Sequence, residues 1–318
     1  MNNQSLLRQR FFLFLKGMAM GAADSVPGVS GGTVALITNI YEDLVDAIQS
    51  IGPHMLVVWK NDGIREAWRY INGNFLLTLG AGILTALLLL ANIILDLMND
   101  QLPYLLAFFA GLVTASIHYV SALIRKWDMS KLALLAAGAF LALFLALLPL
   151  RESSGGVVYY FFCGAIAICA MILPGISGAF ILVLLGAYGP VLEALTGFQW
   201  KVILVFAAGC LSGLMLFSRL LSWLLHHHHE RTLAVLVGML AGSLYLLWPW
   251  RVALEISLND HAFTRYEHVL PGTYTEVAGE AFSPWVCVGL FVMGIGLVLL
   301  LENFASADEN PDQQDNQG

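Results

Sequence analysis

Residues 22–37 read AADSVPGVSGGTVALI, and residues 171–186 read MILPGISGAFILVLLG. Each stretch places a Pro-Gly-x-Ser-Gly sequence inside an apolar segment, with Pro27 in the first half of the chain and Pro174 in the second. Proline removes a backbone donor, and glycine adopts backbone conformations that end helices. The repeated pattern therefore predicts two broken helices, one in each half of the chain.

The composition is typical of a membrane protein. Of the 318 residues, 58% are hydrophobic and only 12% are charged, and the mean hydropathy is +0.76. A soluble domain carries roughly 25% charged residues, and a helix needs about 20 apolar residues to cross a bilayer. Six apolar runs predict six crossings, at residues 75–94, 104–124, 132–148, 202–221, 233–248 and 285–301.

Nothing in the sequence predicts a cofactor, a metal site or binding of nucleic acid. The four cysteines fall in apolar segments, and no pair of them has ligand spacing with a histidine nearby. Four consecutive histidines at 226–229 would point in different directions around a helix. We interpret that run as an interfacial loop.

The chain repeats itself beyond the two motifs. When Pro27 is laid on Pro174, the segment 27–48 matches 174–195, and when Gly82 is laid on Gly209, the segment 82–117 matches 209–244. A polar insert, found only in the first half, accounts for the difference between these two alignments. The predicted organisation is a first repeat at 1–149, with a re-entrant hairpin at 11–48, a polar insert at 50–72 and three crossings; a second, inverted repeat at 150–304, with a re-entrant hairpin at 157–195 and three crossings; and a disordered acidic tail at 305–318.

Lysine and arginine predict the orientation, because they favour the cytoplasmic side of a membrane. If each hairpin enters and leaves on the same side, eleven of the fifteen Lys and Arg residues face the cytoplasm. Both termini are then cytoplasmic, and three crossings per half insert the second repeat upside down. The predicted fold class is an all-α polytopic membrane protein with two inverted-topology repeats, which is typical of secondary transporters.

The helices that flank the first break, at residues 11–23 and 33–48, are predicted to be too short to span the membrane singly. Irregular backbone at that depth is tolerated only inside protein or beside a water-filled cavity. Helices restarting near Ser30 and Ser177 would direct free N–H groups into the cavity and favour an anion. The hydroxyls of Ser30, Thr33 and Ser177 could donate to phosphate-type oxygens. A kink or a small-residue packing surface is the alternative interpretation.

Two charged side chains each have two interpretations. Asp24 could carry a coupling proton or bind a cation, because an ionisable group at this depth is costly, or it could cap a helix end. Met171 replaces it in the second copy, so the predicted site is chemically asymmetric. Arg219 could meet a lipid phosphate, or its long side chain could simply reach the interface.

The stretches GMAMGAADSVPGVSGGTVALITNIYEDLVDAI at 17–48 and MILPGISGAFILVLLGAYGPVLEAL at 171–195 resemble the polyprenyl-phosphate transporter family of bacteria and archaea, formerly a family of unknown function. The resemblance implies a flippase, not an enzyme, in the bacterial cytoplasmic membrane. It would return undecaprenyl phosphate, the lipid carrier of cell-wall synthesis, from the outer to the inner leaflet for recycling. The resemblance also implies substrate-binding residues in both motifs: Asp24, Pro27, Gly28, Ser30, Gly31, Gly32, Thr33, Pro174, Gly175, Ser177 and Gly178. Ala179 stands where a second hydroxyl residue is expected.

Two other functions stay open on the sequence. Inverted repeats with broken helices also serve ion-coupled transporters of small soluble anions. Integral-membrane undecaprenyl-pyrophosphate phosphatases carry a similar Pro-Gly-x-Ser element, but theirs continues with an arginine that would clamp pyrophosphate, where Gly31 and Gly178 stand here. The expected partners are a polyprenyl-phosphate lipid and membrane lipids. Coupling to a proton or another cation and homo-oligomerisation stay open as well.

Overall fold

A computed structural model describes residues 3–26, 30–148, 156–258, 261–278 and 282–308. Pro27 and Gly28 lie outside this range, as do residues 309–318 of the predicted tail. The described chain consists of helices and one small sheet: α1 (Asn3–Asp24), α2 (Gly31–Ile37), α3 (Tyr41–Ser50), α4 (Pro53–Asp62), α5 (Ile64–Tyr70), α6 (Gly73–Asp100), α7 (Leu102–Ala122), α8 (Met129–Leu147), α9 (Val157–Ile172), α10 (Gly178–Leu184), α11 (Tyr188–Thr196), α12 (Trp200–Ser243), β1 (Arg251–Leu258), β2 (His261–His268), α13 (Pro271–Ala278) and α14 (Pro284–Asp308).

The apolar helices confirm a polytopic membrane protein. In the described ranges, four helices are long and apolar enough to cross a membrane, namely the first 18 residues of α6 and all of α7, α8 and α12. The pair α10 and α11, bent by 107°, would make a fifth as a broken span. The apolar part of α14, Pro284–Leu300, is shorter. The six predicted crossings thus lie on α6, α7, α8, α12 and α14, with the fourth and fifth both on α12.

The fourth and fifth predicted crossings lie on the two sides of a break in α12, which spans 44 residues and has non-helical backbone angles at His228. The Thr232 hydroxyl donates to the Leu224 carbonyl oxygen at 3.1 Å. In a continuous helix, residues eight apart are separated by about 12 Å along the axis, so the chain turns at the histidine run. The predicted interfacial loop is reduced to this kink within α12.

The helices around the first motif also differ from their predicted lengths. α1 has 22 residues, longer than the predicted 11–23, and the returning segment is divided into α2 and α3. The division falls at residues 38–40, where Asn39 has a φ of 56°. Asparagine tolerates this left-handed conformation better than most residues do. The polar insert forms two short helices, α4 and α5.

One hairpin departs from the all-α prediction. β1 and β2 form an antiparallel pair in which Arg251 is opposite His268 and Leu258 is opposite His261. In β1, apolar and polar residues alternate from Leu254 to Leu258, and a period of two is the pattern of a strand with two unlike faces.

Helix boundaries recur between the two halves of the chain. α2 covers residues 31–37 and α10 covers residues 178–184, and these bounds coincide at both ends when Pro27 is laid on Pro174. α6 begins at Gly73 and α12 at Trp200, and these starts coincide when Gly82 is laid on Gly209. The sequence matches are therefore accompanied by matching helices.

The contacts between helices repeat as well, beginning with the pair α1 and α6. A Cβ atom on Gly17 would overlap the carbonyl oxygen of Leu79, and one on Gly82 would overlap that of Phe14. Two facing glycines thus let the two backbones touch, which is a common way for membrane helices to pack.

The pair α9 and α12 has the equivalent contacts. Gly164 corresponds to Gly17 in the first alignment, and Phe206 corresponds to Leu79 in the second. A Cβ atom on Gly164 would lie 2.5 Å from the carbonyl oxygen of Phe206, and one on Gly209 would overlap the carbonyl oxygen of Phe161. The pair α9 and α12 therefore packs in the same way as the pair α1 and α6.

The remaining helices are exchanged between the halves. Gly111 on α7 packs against the Phe291 carbonyl of α14, and Gly238, the position that corresponds to Gly111, packs against the Leu135 carbonyl of α8. Each half therefore supplies a helix that completes a contact of the other half.

Two glycines of α6, one at the interface with α1 and one away from it, allow a matched test of this packing. We expect Gly82→Ala to lower the free energy of unfolding by about 1–3 kcal/mol, because the added methyl group forces two backbones apart. Gly80→Ala should leave it unchanged or raise it by up to about 1 kcal/mol, because a Cβ atom there would meet nothing within 4 Å. Unfolding of both variants by SDS titration in mixed micelles measures the difference, and equal stability would contradict this account of the interface.

Candidate functional site

The start of α2 is capped by its own chain. Ser30 has extended backbone angles, and its Oγ accepts a hydrogen bond from the Gly32 N–H at 3.1 Å. Oδ1 of Asp24 accepts one from the Gly31 N–H at 2.6 Å. The sequence predicted free N–H groups at this point. The structure differs because Asp24, which precedes the break, lies back across it and caps the helix.

The first motif contacts the second motif directly. The Ser30 hydroxyl lies 3.4 Å from the Met171 carbonyl oxygen and 3.3 Å from that of Leu173, and donates to them. The Tyr41 hydroxyl donates to the Ile172 carbonyl oxygen at 3.2 Å. The last carbonyls of a helix have no partner within it, so side chains of the first half satisfy the carboxyl end of α9.

A second contact joins the motifs in the other direction. The Gly175 N–H donates to Oγ1 of Thr33 at 3.2 Å, and the Thr33 side chain is fully buried. Gly175 has a φ of 86°, a left-handed conformation that glycine adopts without steric cost. A Cβ atom there would also lie 3.1 Å from the Met239 carbonyl oxygen of α12. The two breaks and α12 thus meet around Gly175.

Glycine is required at two positions of the first motif by close packing. A Cβ atom on Gly32 would lie 2.7 Å from the Ile172 carbonyl oxygen. One on Gly31 would lie 2.5 Å from Oδ2 of Asp24. Both distances are well inside van der Waals contact, so a larger residue would have to displace backbone at Gly32 or the capping carboxylate at Gly31.

The second motif is not an equal copy of the first. Ser177 precedes α10 as Ser30 precedes α2, but the Ser177 side chain makes no capping hydrogen bond to α10. Met171 stands in the place of Asp24. Gly178 packs against α9, where a Cβ atom would lie 2.8 Å from the Ala167 carbonyl oxygen. The chemical asymmetry predicted from Met171 is therefore visible in the capping of the two helices.

The structure thus gathers most of the predicted site residues where the two breaks meet. Asp24, Ser30, Gly31, Gly32 and Thr33 lie on the side of the first half, and Pro174, Gly175, Ser177 and Gly178 follow α9 or begin α10. Pro27 and Gly28 lie outside the described residues. Tyr41 was missed as a site residue, although its match with Tyr188 in the alignment of the two motifs was a visible signal.

Arg219 lies elsewhere. It lines a cavity formed at the end of α3, the polar insert and α12, and no residue of either motif lines that cavity. Among the described residues, no group of three or more His, Cys, Asp and Glu side chains could hold a metal ion.

The histidine run of α12 contacts acidic residues of α3. Nε2 of His229 lies 2.7 Å from Oε1 of Glu42, and Nε2 of His226 lies 3.6 Å from Oδ2 of Asp46. The Ser222 hydroxyl donates to Oδ1 of Asp46 at 2.6 Å. These side chains fix the far end of the first broken segment to α12.

The fold and site define a polytopic membrane protein in which two related helix breaks meet in a buried contact. Its family follows from sequence comparison. The family model described as VCA0040-like, undecaprenyl phosphate translocase-like, matches residues 20–264, and the chain belongs to this family.

Two relatives bear the name polyprenyl-phosphate transporter. The protein of Vibrio cholerae serotype O1 is 40% identical over 295 residues, which cover 92% of this chain and 96% of the relative. The protein of Staphylococcus aureus is 30% identical over 253 residues, which cover 74% of this chain and 85% of the relative. No solved structure matches the chain.

Proposed function

We propose that this protein moves undecaprenyl phosphate from the outer to the inner leaflet of the cytoplasmic membrane, so that the carrier lipid is recycled. The family and the names of both relatives support a polyprenyl-phosphate substrate. The observation that carries the proposal is the hydrogen bond between Gly175 and Thr33, which joins two breaks from opposite halves of the chain. A site built from both halves can respond to their relative movement.

The repeated helix contacts support inverted repeats in alternating access. The contacts between α1 and α6 recur between α9 and α12, and the halves exchange α8 and α14, which pack on α12 and α7. A pseudo-two-fold axis relates such halves, and many transporters rock one repeat against the other around a fixed site. If both breaks are re-entrant, eleven of the fifteen Lys and Arg residues face the cytoplasm, as is usual for membrane proteins, and the axis lies in the membrane plane.

The proposed phosphate site lies between the two breaks. Ser30, Thr33 and Ser177 are buried hydroxyl residues there, and the glycines allow a head group to approach the backbone. In the structure, the Asp24 carboxylate accepts the hydrogen bond of the Gly31 N–H. A phosphate entering the site would compete with this carboxylate, and a proton taken up by Asp24 would weaken the competitor. Proton uptake would then be coupled to substrate binding.

Reconstitution tests the function directly. We expect proteoliposomes with the protein to transfer fluorescent undecaprenyl phosphate between leaflets, measured by a membrane-impermeant quencher, faster than protein-free liposomes do. Transfer of phosphatidylglycerol serves as the control for unspecific leakage between leaflets. Transfer no faster than in empty liposomes would overturn the proposal, and release of phosphate from undecaprenyl pyrophosphate would indicate a phosphatase instead.

A further inference from the structure

A polar cavity of about 410 Å³ lies apart from the two motifs, between the end of α3, the insert α4–α5 and α12. It is lined by Gln49, Ser50, Gly52, His54, Tyr70 and Arg219. We propose that this cavity binds the phosphate monoester of a membrane lipid, and that polyprenyl phosphate occupies it on its way to or from the helix breaks. This inference rests on the proposed function and adds a second binding site to the path of the lipid.

Arg219 provides the charge that the cavity needs. No carboxylate lines the cavity, and among the described residues no Asp or Glu side chain forms an ion pair with Arg219. Arginine binds phosphate through two parallel N–H donors, and such charge-assisted bonds are roughly twice as strong as neutral ones. A phosphate monoester, with up to two negative charges, suits a lone guanidinium among neutral groups.

Gly52 positions this guanidinium. A Cβ atom on Gly52 would overlap Nη2 of Arg219, and the Met215 side chain of α12 would lie 3.7 Å away. The absence of a side chain at Gly52 therefore lets Arg219 lie across the backbone between α3 and α4. The arginine does not extend freely from α12, as a side chain that merely reaches for the interface would.

Neutral donors complete the lining. The ring centroids of His54 and Tyr70 are 5.2 Å apart, and Tyr70 and Gln49 each carry a group that can donate to phosphate oxygens. The Ser50 hydroxyl donates to the Ala47 carbonyl oxygen at 2.6 Å. At ~30 Å³ per water molecule in the liquid, the cavity accommodates a phosphate group together with part of its hydration shell.

The surroundings identify a lipid rather than free phosphate. Large apolar side chains are exposed around the cavity. Those on the insert are Leu56, Val57, Trp59, Ile64 and Trp68, and those that flank Arg219 on α12 are Leu216, Leu220 and Trp223. Tryptophans gather where headgroups meet hydrocarbon, and the arginine therefore lies at that level. A prenyl chain can stay in the hydrocarbon beside α12 while its phosphate enters the cavity.

Photocrosslinking in nanodiscs tests the inference. The probe is a polyprenyl phosphate with a diazirine next to the phosphate, and peptide mapping locates the adducts. In the wild-type protein we expect adducts within residues 49–70. Arg219→Gln should reduce them about tenfold, whereas Arg231→Gln, an exposed arginine of the same helix outside the cavity, should not. Arg219→Lys should restore part of the yield, and Gly52→Ala should lower it although every charge is kept.

Competition separates the sources of phosphate. Unlabelled polyprenyl phosphate should suppress the adducts, whereas inorganic phosphate and phosphatidylglycerol at equal concentration should not. The inference would be overturned if inorganic phosphate suppressed the adducts and unlabelled polyprenyl phosphate did not. It would also be overturned if Arg219→Gln gave the same adduct yield as the wild-type protein. If leaflet transfer persists in that case, the proposed function stands without the cavity. If the wild-type protein transfers no lipid, the proposed function itself fails.

Discussion

Replacing Gly32 by alanine is expected to reduce lipid transfer at least about tenfold. The new methyl group would lie 2.7 Å from the Ile172 carbonyl oxygen. That oxygen is held by the Tyr41 hydroxyl, and the neighbouring Thr33 is held by Gly175. Neither backbone can yield without breaking a buried hydrogen bond. Overpacking of this kind costs about 1–3 kcal/mol, and here it separates the two breaks that the proposed site joins.

The control for this variant is Gly189→Ala in the second half. Gly189 is exposed at the start of α11, and a Cβ atom on it would meet nothing within 4 Å. Transfer rates in proteoliposomes, normalised to the amount of folded protein, should differ between the two variants by about the same tenfold factor. If Gly32→Ala transferred lipid at the wild-type rate, close contact between the two breaks would not be needed for transport.

Replacing Asp24 is expected to separate its capping role from a role in proton coupling. Asp24→Ala leaves the Gly31 N–H without its acceptor, and we expect a loss of about 1–3 kcal/mol in the free energy of unfolding. Asp24→Asn keeps an oxygen that can accept this hydrogen bond but cannot take up a proton. We therefore expect the asparagine variant to stay close to wild type in stability and to lose the dependence of transfer on a pH gradient.

The measurement combines SDS-induced unfolding with leaflet transfer at imposed pH gradients. Asp96→Asn, which removes an exposed carboxylate on α6, is the matched control and should behave as wild type in both assays. Full transfer that still follows the pH gradient in Asp24→Asn would eliminate Asp24 as the coupling group. Unchanged stability of Asp24→Ala would eliminate the cap.

Local chemistry explains why the sequence predicted the helix breaks well. Pro27 and Pro174 each precede a glycine and a serine, and the combination of helix breaker and helix cap is readable without any knowledge of neighbours. α2 and α10 indeed begin directly after Ser30 and Ser177. The match between the two copies of the motif then predicted that both breaks have the same local course.

The contacts at the breaks could not be predicted, because their partners are far apart in sequence. Ser30 donates to the carbonyl groups of Met171 and Leu173 in the other half of the chain, and no local pattern distinguishes a serine that does so from one that meets a ligand. The capping of α2 by Asp24 was one of two open interpretations, since a carboxylate before a helix suits a cap and a proton carrier equally.

The histidine run shows what a local pattern can and cannot predict. Its polar residues between two apolar runs indicated a loop, and the structure has a break in the helix there, with non-helical backbone angles at His228. In the structure, His226 and His229 lie beside carboxylates on α3. Those partners belong to the other half of the chain, so no local pattern could identify them.

α8 and α14 each pack on the half of the chain to which they do not belong, and this links the folding of the two halves. Gly111 of the first half needs the backbone of α14, and Gly238 of the second half needs that of α8. A polypeptide with only one half would leave its glycine face without a partner helix. Neither half is therefore expected to fold as an independent unit, and the fragments produced by a cut between them should stay associated.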